Sequence, residues 1–244
     1  KSNELYGIYF AKNEIVKKDN VYLVEGYTDV TSMHQSGIEN VVASSGTSLT
    51  YGQINMIHRF TSNITVLYDG DSAGIKASLR GIDMLLEQNM NVKVLLLPDG
   101  EDPDSFARSR NASELMEYME KNQKDFIAFK CELALAEAGN DPIKRSNLIN
   151  DILRSISVIP DEIKRSVYIQ DCQTRFGIKL ETLTQSVKKI IAEKNQNAKP
   201  QTIKEVEQAP KKDLPYTYLQ ERELLKFLIS YPRVIIELPT ADEI

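Results

Sequence analysis

The sequence predicts an α/β fold: a parallel sheet flanked by helices, followed by an all-α helical bundle. Short apolar runs at 21–24, 40–43, 64–68 and 92–97 alternate with stretches of helical spacing. That alternation, with short connections, is the pattern of successive βα units in a doubly wound parallel sheet. Beyond Pro103 the strand signal stops, and residues 105–192 carry helical spacing throughout.

Taken in order, Leu5, Ile8, Tyr9 and Ile15 lie at near-helical spacing, and Lys17-Lys18-Asp19-Asn20 reads as the turn into the first strand. Strand 21–24 leads to a helix near 28–35 that Gly37 ends, then to strand 40–43 and the loop 44–48. The next helix, 50–60, has Thr50 as N-cap and Gln53 three residues on, a capping-box pattern. Strand 64–68, a helix near 73–88 and strand 92–97 complete the series. In the bundle, Asn140-Asp141-Pro142 and Ile159-Pro160-Asp161 punctuate the helices, each proline suiting a first helical turn. From Glu193 to Pro215 almost nothing is apolar, so the stretch reads as a flexible linker. An apolar helix follows, with Leu219, Leu224, Leu225, Phe227, Leu228 and Ile229, and stops at Tyr231-Pro232.

The chain has 244 residues, 41% hydrophobic and 27% charged, as an ordinary globular protein does. No apolar run reaches the roughly 18 residues of a membrane span, and the N-terminus lacks a signal-peptide pattern, so the expected location is cytoplasmic. A net charge of −5 argues against a surface coated in basic residues, though not against a local basic patch. Cys131 and Cys172 are far apart in the chain and suggest neither a zinc site nor a disulfide framework; both read as small buried hydrophobes. His34 and His58 match no ligand or triad spacing and read as structural.

The acids carry the chemistry. Glu25 directly follows the first strand, Asp69 and Asp71 follow the third, and Asp99, Glu101, Asp102 and Asp104 follow the fourth. If those strands lie parallel, the acids converge at the strand carboxyl ends, where open α/β sheets bind ligands. Two carboxylates about 4 Å apart repel by roughly 4 kcal/mol near a protein surface, so such a cluster calls for a cation. Oxygen-only ligands suit Mg²⁺ best. Gly26 lets the chain turn out of the strand behind Glu25, and Asp29 would face the same crevice from the first helical turn. Extended spacing sends Asp69 and Asp71 the same way, with Gly70 removing bulk between them. Each motif has a plainer reading as a turn or helix cap, Asp102 as N-cap ahead of Pro103 above all.

Together these stretches resemble a known family. Leu5-Tyr6-Gly7, Glu25-Gly26-Tyr27 with Asp29, Ala43 to Ser48, Tyr68 to Gly74 and Leu97 to Asp104 are similar to the toprim domain of DnaG-type bacterial primases. A Glu and an Asp-x-Asp alone are shared with topoisomerases, OLD-type nucleases and recombination-repair proteins; the third acidic stretch and Leu5-Tyr6-Gly7 point to primases. The resemblance implies a toprim-type sheet at 21–104, preceded by a lead-in helix at 1–20 from the N-terminal part of the catalytic core. It implies a helical subdomain at 105–192, a linker at 193–215 and the start of a helicase-interaction domain at 216–244. Glu25, Asp69 and Asp71 match the family's catalytic and metal-binding acids, Asp29, Asp102 and Asp104 its auxiliary acids, and Lys1 and Lys12 its nucleotide- or template-contacting lysines.

The implied activity is synthesis of short RNA primers on single-stranded DNA from ribonucleoside triphosphates, with Mg²⁺ or Mn²⁺. A replicative, DnaB-type helicase is the implied partner, no membrane is involved, and zinc belongs to a domain not in this chain. Two other readings share these residues: toprim phosphodiester chemistry of the nuclease or topoisomerase kind, and a non-catalytic helicase-binding piece. Lys76 and Arg80, four apart after Asp71, are phosphate-contact candidates whose plainer reading is an exposed helix face.

Overall fold

The structure is a computed structural model that describes residues 4–44, 49–68, 81–98 and 100–197. Lys1, the loop 45–48, Asp69, Asp71, Lys76, Arg80, Asp99, the linker beyond 197 and the helix expected at 218–229 lie outside the described residues. The strands are β1 (Val21–Val24), β2 (Val41–Ala43), β3 (Asn63–Tyr68), β4 (Asn91–Leu96) and β5 (Lys124–Asp125). Interleaved with them are α1 (Ile8–Lys18), α2 (Tyr27–Gln35), α3 (Tyr51–His58), α4 (81–87 as described), α5 (Pro103–Arg108) and α6 (Ala112–Asn122). After β5 come α7 (Phe126–Ala138), α8 (Pro142–Ser157), α9 (Glu162–Phe176) and α10 (Leu180–Asn197).

The sheet order is β2-β1-β3-β4-β5, with the first four strands parallel and β5 antiparallel to β4. The expected parallel sheet is therefore a mixed one. β5 escapes a periodicity reading because two residues have no period; Lys124 and Asp125 pair with Val94 and Lys93 just before the chain turns into α7. β5 forms one edge of the sheet, and at the other Tyr6 bridges to β2, its N–H and C=O exchanging bonds of 3.0 and 3.1 Å with Ala43. A parallel edge left open would present unpaired amides to other chains.

Period-two alternation splits the core into two layers. Val21, Leu23, Ile64, Val66, Val92 and Val94 face α1, α3, α4 and the bundle, while Val24, Leu67 and Leu95 face α2, α5 and α6. The first layer runs without a break into the bundle, taking in Phe126, Ile152, Ile156, Ile169 and Leu183. Asp125 fastens the bundle to the sheet edge: its Oδ1 caps α7 by accepting from Ile127 and Ala128 amides, and its Oδ2 accepts from the Tyr168 hydroxyl at 2.7 Å. Burial, and then that bond to Asp125, push the Tyr168 phenol above its ordinary range.

The Thr50–Gln53 capping box forms as its spacing predicts, and Asp141 caps α8 with Pro142 in the first turn. Pro160 departs from expectation. Asp161 is the cap of α9, so the proline precedes the helix rather than opening it. The composition boundary at Glu193 also fails to stop α10, which continues to Asn197, tied back by an ion pair of Lys194 with Glu87 on α4. Cys131 and Cys172 are buried, as their residue type suggests, yet their Sγ atoms lie 3.9 Å apart across α7 and α9. His34 and His58 sit exposed on helices. No helix of the described residues is long and apolar enough to cross a membrane.

Gly7 marks the tightest approach of the lead-in segment to the sheet. Its φ is +84°, and a Cβ there would meet Val30 Cγ1 at 2.9 Å and the Val41 carbonyl at 3.1 Å. Gly7→Ala is expected to lower the unfolding free energy by about 1–2 kcal/mol for the left-handed backbone alone, with the clash adding to it; urea denaturation of the variant against the parent chain checks this.

Candidate functional site

Parallel pairing puts the carboxyl ends of β1, β3 and β4 at one edge of the sheet. Leu23 is in register with Val66, so Glu25, two residues on, comes level with Tyr68. Tyr68 in turn pairs with Leu96, and the Leu97 amide donates to the Tyr68 carbonyl at 3.1 Å. Glu25 is exposed and close enough to be felt: burial first, then the Glu25 charge, push the Tyr68 phenol above its ordinary range. Asp69 follows Tyr68 directly in the chain, and Asp71 two residues later; both lie outside the described residues.

Gly26 caps α2 in an extended conformation, and Asp29 reaches back from the first turn to accept from the Gly26 amide at 2.9 Å. A carboxylate there complements the partial positive charge of the helix N-terminus. On the other side of the edge, Asp102 caps α5, accepting from the Ser105 amide at 2.7 Å with Pro103 in the first turn. The backbone bond from Ser105 holds the Asp102 carboxyl below the usual carboxylate range. Its cap reading is thus observed. Asp104, half-buried on α5, accepts through Oδ1 from the Ser32 hydroxyl and pairs with Arg108 Nε at 3.0 Å.

Sequence reasoning missed the side chains that hold these acids. Arg110 grips Glu101 with two parallel bonds of 2.6 and 2.9 Å while lying 3.9 Å from the Phe106 ring centroid. This two-point grip ties the turn before Asp102 to the end of α5. Ser32 and Ser36, three and seven residues past Asp29 on the same helix face, bond to Asp104 and to the Ala107 carbonyl. Their only signal in the sequence was helical spacing from Asp29. Lys12 is half-buried on α1 with its ammonium 4.6 Å from the Tyr9 ring centroid.

The donors on this edge are carboxylates, hard oxygen ligands that fit Mg²⁺ or Mn²⁺ and not a thiolate-seeking metal. Among the described residues no three acids, histidines or cysteines lie close enough to hold an ion.

Comparison with known proteins agrees with this geometry. The Toprim-like family profile matches residues 22–107, and that of the DnaB-helicase binding domain of primase matches residues 127–181. The DNA primase of Clostridium acetobutylicum is 38% identical over 183 residues, covering 73% of this chain and 30% of that protein. The Listeria innocua DNA primase is 34% identical over 189 residues, covering 77% and 30%. A DNA primase domain from Pseudomonas aeruginosa superposes with a TM-score of 0.68 at 28% identity, covering 76% of this chain and 59% of that one.

The chain belongs to the DnaG-type bacterial primases.

It spans about 30% of the length of the curated primases it matches. A DnaG primase catalytic domain bound to single-stranded DNA also superposes, with a TM-score of 0.66 at 31% identity, covering 74% of this chain and 58% of that one. The two descriptions of the helices differ. The profile over 127–181 is named for helicase binding, whereas solved primase catalytic domains cover about three quarters of the chain and so extend well past residue 107 into the same helices. One hydrophobic core runs unbroken from the sheet into these helices.

Asp102 gives a pH signature. Its carboxyl is depressed in the fold, so the stabilisation from its cap is full above the ordinary carboxylate value, about 4, and is lost as pH falls through the folded value. Asp102→Ala is expected to cost about 1 kcal/mol at pH 7. That cost should shrink in strong acid, as read by denaturation at a series of pH values.

Proposed function

We propose that this chain is the metal-bearing part of a primase that synthesises short RNA primers on single-stranded DNA by nucleotidyl transfer. The observation that carries the reading is the shared edge: Glu25 level with Tyr68, immediately ahead of Asp69, with Asp102 and Asp104 following β4 on the same side. In that reading Glu25, Asp69 and Asp71 hold Mg²⁺, and Asp29, Asp102 and Asp104 shape the field around it. Bound divalent ions supply activation of the attacking 3′-hydroxyl and charge neutralisation of the leaving pyrophosphate. The chain's own residues do the rest by position. Glu25, exposed at the strand tip, is the acid placed to take up a proton from the attacking hydroxyl, while the cap at Asp102 and the Glu101–Arg110 grip keep the third acidic stretch from swinging out of the crevice. Lys12, and Lys1 ahead of it, are assigned to nucleotide or template phosphates.

Residues 21–104 form the toprim unit in this assignment and 105–192 the helical subdomain, with 1–20 as lead-in, 193–215 as linker and 216–244 as the start of a helicase-interaction domain. Ribonucleoside triphosphates and single-stranded DNA are the substrates, the replicative helicase is the partner, and the cytoplasm is the location. The profile match over 127–181 supports a second contact with helicase through α7, α8 and α9.

Glu25→Gln, Asp69→Asn and Asp71→Asn in the full-length primase are each expected to reduce primer synthesis at least about a hundredfold, the scale for losing one preorganised electrostatic contact to the transition state. Thermal melting should stay near that of the parent. Gel analysis of labelled RNA on a single-stranded template checks it; any of the three retaining activity within threefold removes that acid from the site.

A further inference from the structure

α2 and α5 are joined by two side-chain bonds one helical turn apart: Ser32 Oγ donates to Asp104 Oδ1, and Ser36 Oγ donates to the Ala107 carbonyl at 3.0 Å. Ser32 is 5% exposed, so its hydroxyl has little water to turn to. It lies three residues past Asp29 and therefore on the same face of α2, between Asp29 and the contact with α5. The oxygen it reaches, Asp104 Oδ1, also pairs with Arg108 Nε, which lies 3.4 Å from Ser32 Oγ. Asp104 Oδ2 has no partner among the described residues.

We infer that Ser32 is the positioning residue for Asp104: by holding Oδ1 it fixes the carboxylate so that Oδ2 is offered to the metal-bearing edge. Arg108 cannot do this alone. Its side chain is 70% exposed, and an exposed pair within one helix is too weak to select one rotamer of Asp104. Ser32 adds what Arg108 lacks, a short, buried donor on a different element. Holding of this kind is how groups behind a metal ligand set its affinity, and removing one typically costs about 10–100-fold. The inference rests on the proposed reading of Asp104 as an acid of the metal site.

The experiment is Mn²⁺ binding to the full-length primase, read as free Mn²⁺ by electron paramagnetic resonance, for Ser32→Ala, Ser36→Ala, Asp104→Asn and the Ser32→Ala/Asp104→Asn double variant. Ser36→Ala is the control, because it removes an equivalent bond between the same two helices without touching an acid; thermal melting of both serine variants measures that shared structural loss. Ser32→Ala is expected to weaken Mn²⁺ binding about tenfold, Ser36→Ala to leave it unchanged, and the double variant to bind no more weakly than Asp104→Asn. If Ser32→Ala binds like Ser36→Ala while Asp104→Asn is weakened, the positioning role is overturned and Asp104 keeps its place. If Asp104→Asn binds like the parent, the reading of Asp104 fails, and the role of Ser32 falls with it.

Discussion

Parallel pairing of β1, β3 and β4 is the constraint from which the rest follows. A parallel strand has one carboxyl end, and three side by side must release their following residues at a single edge. Glu25, Tyr68 and Leu97 are thereby brought to one edge, although 42 residues lie between Glu25 and Tyr68 in the chain. The same pairing forces each strand to bury both faces, so the alternating side chains build two cores and the helices must cover both. Glu25 is exposed because it stands one step past the last paired residue, where burial ends.

The helices after residue 125 are an extension of that arrangement. Phe126 and Ile127 continue the core beneath Val92 and Val94, and Asp125 serves at once as strand residue, helix cap and acceptor for Tyr168. Lys130 on α7 is buried with its ammonium on Ser155 and Asp151 of α8, beside Asp83 of α4, whose carboxyl burial pushes above its usual value. Asp83 Oδ1 is buried without a hydrogen-bond partner among the described residues. α4 is thus packed against the bundle by both apolar and polar contacts.

On the opposite face the acids are braced by neutral or oppositely charged neighbours. Ser32 on Asp104, the Gly26 amide on Asp29 and the Ser105 amide on Asp102 each occupy one oxygen of a carboxylate near the sheet edge, and Arg110 occupies both oxygens of Glu101. A donor on a carboxylate oxygen limits the rotamers its side chain can take, so these partners hold the acids in place at the sheet edge.

The strand periods, the Thr50 and Asp102 caps and the position of each acid after its strand were legible because they are local: period, capping and turn chemistry act within about four residues. The bounds of β1 to β4 accordingly match the apolar runs to within a residue. β5, with two residues, has no pattern to read, and the pairing of Lys194 on α10 with Glu87 on α4 joins positions far apart in the chain that no local period links. Nothing in the chain between Ser32 and Asp104 announces that they meet, nor that Cys131 and Cys172 lie side by side. The sequence by itself determined which residues form strands, which acids follow them and hence the chemistry on offer. Only the tertiary structure decided which neutral side chains brace those acids, because contacts across packed elements depend on the order and facing of helices on the sheet, and that order is not encoded in any local period.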